Sequence, residues 1–373
     1  MKKKLSGSPS VNDLNRRGFK YDMLAPFVSA SYNVDDGLYL GGSLKYVTHG
    51  FRKDPFKLSQ QLVVNHSLAT KAYNFGYKME AIDAIGKVDL LFNAGIKAPN
   101  NTINFFRYGN ETVYSKGKTG GIRYYRARFN LGDVSLLARV NPMEHLAVAA
   151  GGFLQYYNME RENNKNRLIS FPSLTGLDSS TLFRRKMYTG VQISAFVDTR
   201  DNKITPGRGL NWETSLRINK GLKNYTNGFT QFSSELSMFM SFSEPAIFVV
   251  AQRFGTGINL GKYEFFQAQF LSGTENLRGF RKYRFAGDKV LYSNTELRVK
   301  LTDLNTYLLP SALGLLAFFD AGRVWVRNES SNKIHAGYGA GIWLCPLKKF
   351  VITASYTASE EGGLPLVSFG FLF

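Results

Sequence analysis

Short runs in which every second side chain is apolar, separated by polar turns, repeat along the whole chain. In Leu210-Asn211-Trp212-Glu213-Thr214-Ser215-Leu216-Arg217-Ile218-Asn219 every second residue is polar, and Leu210, Trp212, Leu216 and Ile218 share the opposite face. Gln231, Ser233, Glu235, Ser237 and Ser241 alternate in the same way with Phe232, Leu236, Met238, Met240 and Phe242. A period of two is the period of a β-strand, whose successive side chains point to opposite faces. The final stretch keeps the rhythm: Val367, Phe369, Phe371 and Phe373 alternate with Ser368, Gly370 and Leu372.

This pattern predicts strands near 24–34, 37–48, 57–69, 73–83, 86–97, 121–139, 146–157, 186–198, 209–219, 228–242, 246–258, 288–301, 312–325, 335–345, 349–358 and 366–373, about sixteen in all. A row of phenylalanines on an unpaired edge would invite aggregation in water. Closing the sheet within lipid removes the edge and turns the rings toward acyl chains. The expectation is therefore an all-β fold, a transmembrane antiparallel barrel over 21–373, preceded by a polar N-terminal segment over 1–20 that is too short for a soluble domain. With both ends of the barrel on one side, the long outer connections should follow odd-numbered strands. The polar stretches 98–120, 158–185 and 259–287 follow the fifth, seventh and eleventh predicted strands.

Mean hydropathy is only −0.20. No stretch approaches the roughly 18 consecutive apolar residues of a membrane-crossing helix, which excludes a helical membrane protein. A barrel whose strands show half their residues to a polar lumen is not excluded by low hydropathy. The 14% aromatic content and 36 glycines suit interfacial rings and tight turns.

The net charge of +19 would suggest nucleic acid in a soluble protein. Its placement points elsewhere: in Tyr125-Arg126-Ala127-Arg128-Phe129-Asn130-Leu131 the arginines share one face and the apolar residues the other, which predicts a lumenal charge row. No nucleic-acid partner is expected, and rim cations can meet anionic lipid headgroups. A charge at the bilayer midplane costs roughly 2–4 kcal/mol, so charged strand residues should face inward. That puts Tyr292, Asn294, Glu296, Arg298 and Lys300 inside, with Leu291, Leu297, Val299 and Leu301 outside. Asp320, set among Leu315, Phe318 and Phe319, turns inward for the same reason.

The start Met1-Lys2-Lys3-Lys4 resembles the charged head of a secretory signal, but no apolar core follows between Leu5 and Lys20, so the chain is read as a mature or truncated form. One cysteine, Cys345, precludes an internal disulfide. His49, His66, His145 and His335 are scattered without metal-ligand spacing, and neither metal nor cofactor is expected. The inward acids Glu213, Glu235 and Glu296 fit an ordinary charged lumen; with no nucleophile motif or phosphate loop, no catalytic residue and no enzyme activity are expected. Pro26 cannot donate a ladder hydrogen bond and Pro365 delays the last strand, so a short seam between first and last strands is expected, marked by Pro26 and Gly370. Alternatively, Pro26 merely opens its strand.

Four motifs carry a family resemblance. Gly273-Thr274-Glu275-Asn276-Leu277-Arg278-Gly279-Phe280 resembles the signature loop of the BamA/TamA superfamily of outer-membrane proteins, the bacterial surface antigen family. Asp198-Thr199-Arg200-Asp201-Asn202 with Pro206-Gly207-Arg208-Gly209 resembles its strand-opening motif, and Phe318-Phe319-Asp320-Ala321-Gly322-Arg323-Val324-Trp325 its Phe-x-Asp-x-Gly-x-Val-Trp strand. The terminal Phe369, Phe371 and Phe373 resemble its assembly signal, which implies the barrel assembly machinery as a partner. A second similarity, to barrels fused behind calcineurin-like phosphoesterase domains, is carried by Asp35-Asp36-Gly37-Leu38-Tyr39-Leu40 and by Asn104-Phe105-Phe106-Arg107-Tyr108-Gly109-Asn110-Glu111-Thr112. Ordinary readings of these two segments are a hairpin turn and a polar loop.

The resemblance implies a loop folded into the lumen, with Arg278 paired to Glu296 and Asp320 and with Gly279 and Phe280 beside it. It also implies residence in the bacterial outer membrane and insertion or translocation of client proteins through a seam that parts sideways. Two other functions stay open at this point. One is a barrel that anchors or exports an enzyme domain lying outside this chain; the other is a passive pore.

Overall fold

The computed structural model describes residues 20–50, 53–117, 120–327 and 329–373. The predicted polar segment 1–20 thus lies outside the described residues except for Lys20. Sixteen strands form one closed antiparallel barrel. They are β1 (Met23–Asn33), β2 (Gly37–Thr48), β3 (Leu58–Ser67), β4 (Ala72–Ile85), β5 (Val88–Lys97), β6 (Asn130–Met143), β7 (Leu146–Asn158) and β8 (Lys186–Asp198). They continue as β9 (Gly209–Gly221), β10 (Phe229–Ser241), β11 (Phe248–Gly261), β12 (Lys289–Leu304), β13 (Ser311–Trp325), β14 (His335–Pro346), β15 (Ile352–Ser359) and β16 (Gly362–Phe369). Each strand pairs with its neighbour in sequence, and β1 meets β16.

Alternation sorts the side chains as the pattern predicts. Leu291, Leu297 and Leu301 of β12 are exposed on the outer wall, whereas Asn294, Glu296 and Arg298 between them are buried inside. Exposed apolar side chains recur on nearly every strand, from Val28 and Leu62 to Tyr356. In water so much contiguous apolar surface would be a liability, whereas a lipid solvent removes the cost. Among the described residues no helix is long and apolar enough to cross a membrane.

The three long connections, 98–129, 159–185 and 262–288, follow β5, β7 and β11. All leave the barrel at the end opposite Lys20 and Phe373, hereafter the loop end; the other is the terminal end. These connections are not solvated tails. Ile103, Phe105, Phe129, Met159, Leu182 and Phe265 form a buried cluster. It packs on inward residues of the wall, with Phe266 stacked 4.4 Å from Tyr157 and Tyr263 beside Phe229. The loop end is thereby closed by an apolar cap.

Two expectations about strands are corrected here. Residues 121–139 are not one strand: Ile122–Tyr125 is a helical turn, Arg126–Arg128 pairs with Thr102–Asn104 in a ribbon off the barrel, and the wall strand starts at Asn130. The apolar face of 125–131 accordingly meets no lipid, since Ala127 and Phe129 lie in the cap cluster. The last strand spans Gly362–Phe369 rather than 366–373, so Pro365 lies within it, opposite Tyr356 of β15.

Candidate functional site

Two features stand out from the wall: a charge cluster between the third long connection and β12–β13, and the joint between β1 and β16. In the first, Arg278 Nε and Nη2 donate to the two oxygens of Asp320, each at 2.7 Å, a bidentate fork. The Arg278 backbone N–H adds a third bond to Asp320, at 3.0 Å, and Nη1 donates to Glu296 Oε1 at 2.5 Å. Glu296 and Asp320 are fully buried and Arg278 is 3% exposed. The guanidinium carbon also lies 3.6 Å from the ring centre of Phe318, within cation–π range. Burial alone would lower the Arg278 pKa; Asp320 and Glu296 outweigh it and raise it above the ordinary arginine value.

Geometry beside the arginine is equally tight. Gly279 has φ +94, a conformation most side chains avoid, and its carbonyl accepts from Ser359 Oγ at 2.6 Å. Phe280 is buried with Leu271, Leu277, Phe285, Val290 and Val324. Gly337 of β14 lies so close that a Cβ there would sit 1.8 Å from the Arg278 carbonyl oxygen. Sequence reasoning missed two further contacts: Arg253 Nη2 donates to the Glu275 carbonyl at 2.7 Å and Asn294 Nδ2 to the Asn276 carbonyl at 2.9 Å. Their inward position was readable from alternation, but nothing in the pattern says which lumenal group meets a loop.

The cluster extends toward the terminal end. Arg298 Nε donates to Glu296 Oε2 at 2.8 Å and its Nη2 to the Phe373 carbonyl at 2.7 Å. Its guanidinium stands 3.9 Å from the Phe371 ring centre. Here the alternation misleads. It puts Phe371 and Phe373 on the lipid face with Phe369, but the chain leaves the wall at Gly370, φ +93, and carries both rings inward. Phe371 packs on Trp343, and Phe373 approaches Phe239 and Arg253. Phe369 stays at the joint, 5.8 Å from Phe27.

That joint is almost unpaired. β1 and β16 share one register pair, Tyr32 with Val367, whereas β1 and β2 share eleven and β15 and β16 eight. Pro26 lies inside β1, aligned with Leu44 of β2, and does not open the strand. Extending the single register pair would align it with Phe373, which has turned away. A cavity of about 350 Å³ at the terminal end is lined by Phe27 of β1, by Phe350, Phe369 and Gly370, and by Arg200 and Pro206 of the β8–β9 turn.

If the turn at Gly370 keeps the seam short, Gly370→Val should lengthen it, because a β-branched residue at positive φ is strained by about 1–3 kcal/mol and favours extended backbone. Hydrogen exchange of the Phe27–Ser31 amides should then slow; unchanged exchange would show that the turn does not set the pairing.

Among the described residues no group of three or more His, Cys, Asp or Glu could hold a metal ion. A family model described as Omp85 superfamily domain matches residues 24–371. A search of curated proteins by sequence returns no match. Among solved structures, BamA from Haemophilus ducreyi lacking POTRA domains 1–3 matches 94% of this chain and 70% of its own, with 13% identity and a TM-score of 0.65. CdiB from Acinetobacter baumannii, also 13% identical, matches 93% of this chain at a TM-score of 0.55, and the chain covers 59% of it. CdiB from Escherichia coli gives 13% identity, 92% of this chain and a TM-score of 0.57, and the chain covers 62% of it. At this identity the likeness is one of fold.

Proposed function

The chain belongs to the Omp85 superfamily, and on that premise we propose that it sits in the bacterial outer membrane and inserts or translocates client proteins by sideways parting of β1 from β16. The observation that carries this reading is the single register pair at the seam. Every backbone donor and acceptor left unpaired in lipid costs free energy, so a barrel with one deficient joint has a place where an incoming strand gains hydrogen bonds that the protein itself does not make. The exposed apolar side chains of β1, Leu24 and Val28 among them, give such a strand a lipid-compatible neighbour.

In this reading the loop end is extracellular and the terminal end periplasmic. Membrane lipid and unfolded clients are the partners, Phe369, Phe371 and Phe373 mark the chain for the barrel assembly machinery, and the cluster Arg278, Gly279, Phe280, Glu296 and Asp320 locks the loop. A passive pore fits less well with a lumen capped by Phe105, Phe129 and Phe265 and crossed by the Arg278 loop. The reading assigns no reaction to the barrel.

A disulfide tests it. Ala30 and Phe369 are aligned when the Tyr32–Val367 register is extended by two residues. With both changed to cysteine and Cys345 to serine, oxidation should abolish the vesicle-reconstituted chain's acceleration of folding of a small unfolded β-barrel client, and reductant should restore it. Equal acceleration by oxidised and reduced protein would dismiss lateral opening.

A further inference from the structure

The seam's two ends are held differently. At the terminal end, residues 23–31 have no register partner on β16 among the described residues, and contact is through rings such as Phe27 and Phe369. At the loop end, the connection that carries Arg278 reaches across the seam and grips both sides. One arm holds the β1–β2 turn: Arg281 Nη1 donates to Asp35 Oδ1 at 3.0 Å, the Lys282 backbone N–H to Asp35 Oδ2 at 2.8 Å, and Lys282 Nζ to Asp36 Oδ2 at 3.0 Å. The other holds the β15–β16 side: Arg284 Nε donates to Glu361 Oε1 at 2.6 Å, and Ser359 Oγ donates to the Gly279 carbonyl.

Both arms are built into the cap. Asp35 and Asp36 are 4% and 7% exposed and Arg284 2% exposed, so water screens these pairs little. Asn104 Nδ2 donates to the Lys282 carbonyl at 3.0 Å, while Arg284 donates to the hydroxyl and carbonyl of Thr112 at 2.8 and 2.6 Å. The two motifs that the sequence analysis left without a role, Asp35-Asp36 and Asn104 to Thr112, thus share one: they hold this stretch of loop.

We propose that residues 279–284 form a clasp that bridges the seam at the loop end, so that β1 and β16 part from the terminal end with the clasped end as hinge. This rests on the reading of the seam as the working joint. It adds a direction: a client strand gains access from the end where the chain termini lie, and the cap stays shut while it does.

Pairs of spin labels in the full chain, reconstituted into phospholipid vesicles with Cys345→Ser, test the clasp without any client. Leu38→Cys with Leu364→Cys spans the seam at the loop end, and Leu24→Cys with Leu347→Cys at the terminal end. The unsubstituted clasp should give a narrow distance distribution at the loop end and a broader one at the terminal end. Cutting either arm, by Arg281→Met with Lys282→Met or separately by Arg284→Met, should broaden the loop-end distribution toward longer distances; if one variant fails to fold, the other decides. Equal widths at the two ends, or a loop-end distribution unchanged in a folded variant, would overturn the clasp. Because the labels read the seam directly, a clasp that behaves as described beside a failed client assay would overturn the insertion reading alone.

Discussion

Replacing Arg278 with alanine is expected to release the loop from the wall. The substitution leaves Asp320 without its bidentate partner and the backbone N–H as its one remaining bond to residue 278, and strips Glu296 of one of two guanidinium groups. Deleting one member of a buried ion pair costs about 3–5 kcal/mol, because the survivor stays desolvated. At 1.4 kcal/mol per factor of ten, local opening should become roughly two to three and a half orders of magnitude more frequent. Limited trypsin digestion of the reconstituted barrel reads this, since Arg281, Lys282 and Arg284 are cleavage sites held in contacts while the loop is docked. Cleavage in this segment should be slow in the unsubstituted chain and fast in Arg278→Ala. Arg278→Lys should fall between, as an ammonium keeps the charge but cannot fork to two carboxylates. Equal cleavage of all three would show that Arg278 does not hold the loop.

The wall of the barrel was legible because its physics is local: each strand must show one face to lipid and the other to a charged interior, and alternation records that face by face. Glu296 and Asp320 were placed inward by the cost of a midplane charge, and Arg278 by resemblance of its motif to a family loop. Other features depend on what the chain meets at a distance. Residues 126–128 alternate like the wall strand that follows because a two-stranded ribbon has the same period, and only their pairing with Thr102–Asn104 takes them off the barrel. The terminal phenylalanines alternate without a break, yet one glycine at positive φ re-aims two of them. The cap was hidden because 98–120 reads as polar on average, although Phe105 and Phe106 within it are 1% exposed. Aromatic residues that dense in a loop were the available signal.

Gly337→Val should displace the same loop while leaving every charge in place. A Cβ at 337 would stand 1.8 Å from the Arg278 carbonyl oxygen and 2.9 Å from its carbon, atoms of the loop backbone and not the free end of a side chain. The loop cannot yield by a rotamer change, because the same residue is fixed by its N–H and guanidinium to Asp320. Either the loop leaves or β14 shifts, and β14 is paired along its length with β13 and β15. The loop is the softer partner, at a cost of at least about 1–3 kcal/mol for forced overpacking. Trypsin should therefore cleave at Arg281, Lys282 and Arg284 in Gly337→Val as it does in Arg278→Ala. Combining the two should add little, since a loop already released has no further contact to lose at either position, whereas effects that add in full would mean that the residues act on separate structures. Non-additivity would tie the tight backbone approach and the ion pairs to one docked state, in which glycine at 337 makes room for the carbonyl and the carboxylates draw the arginine down onto the wall.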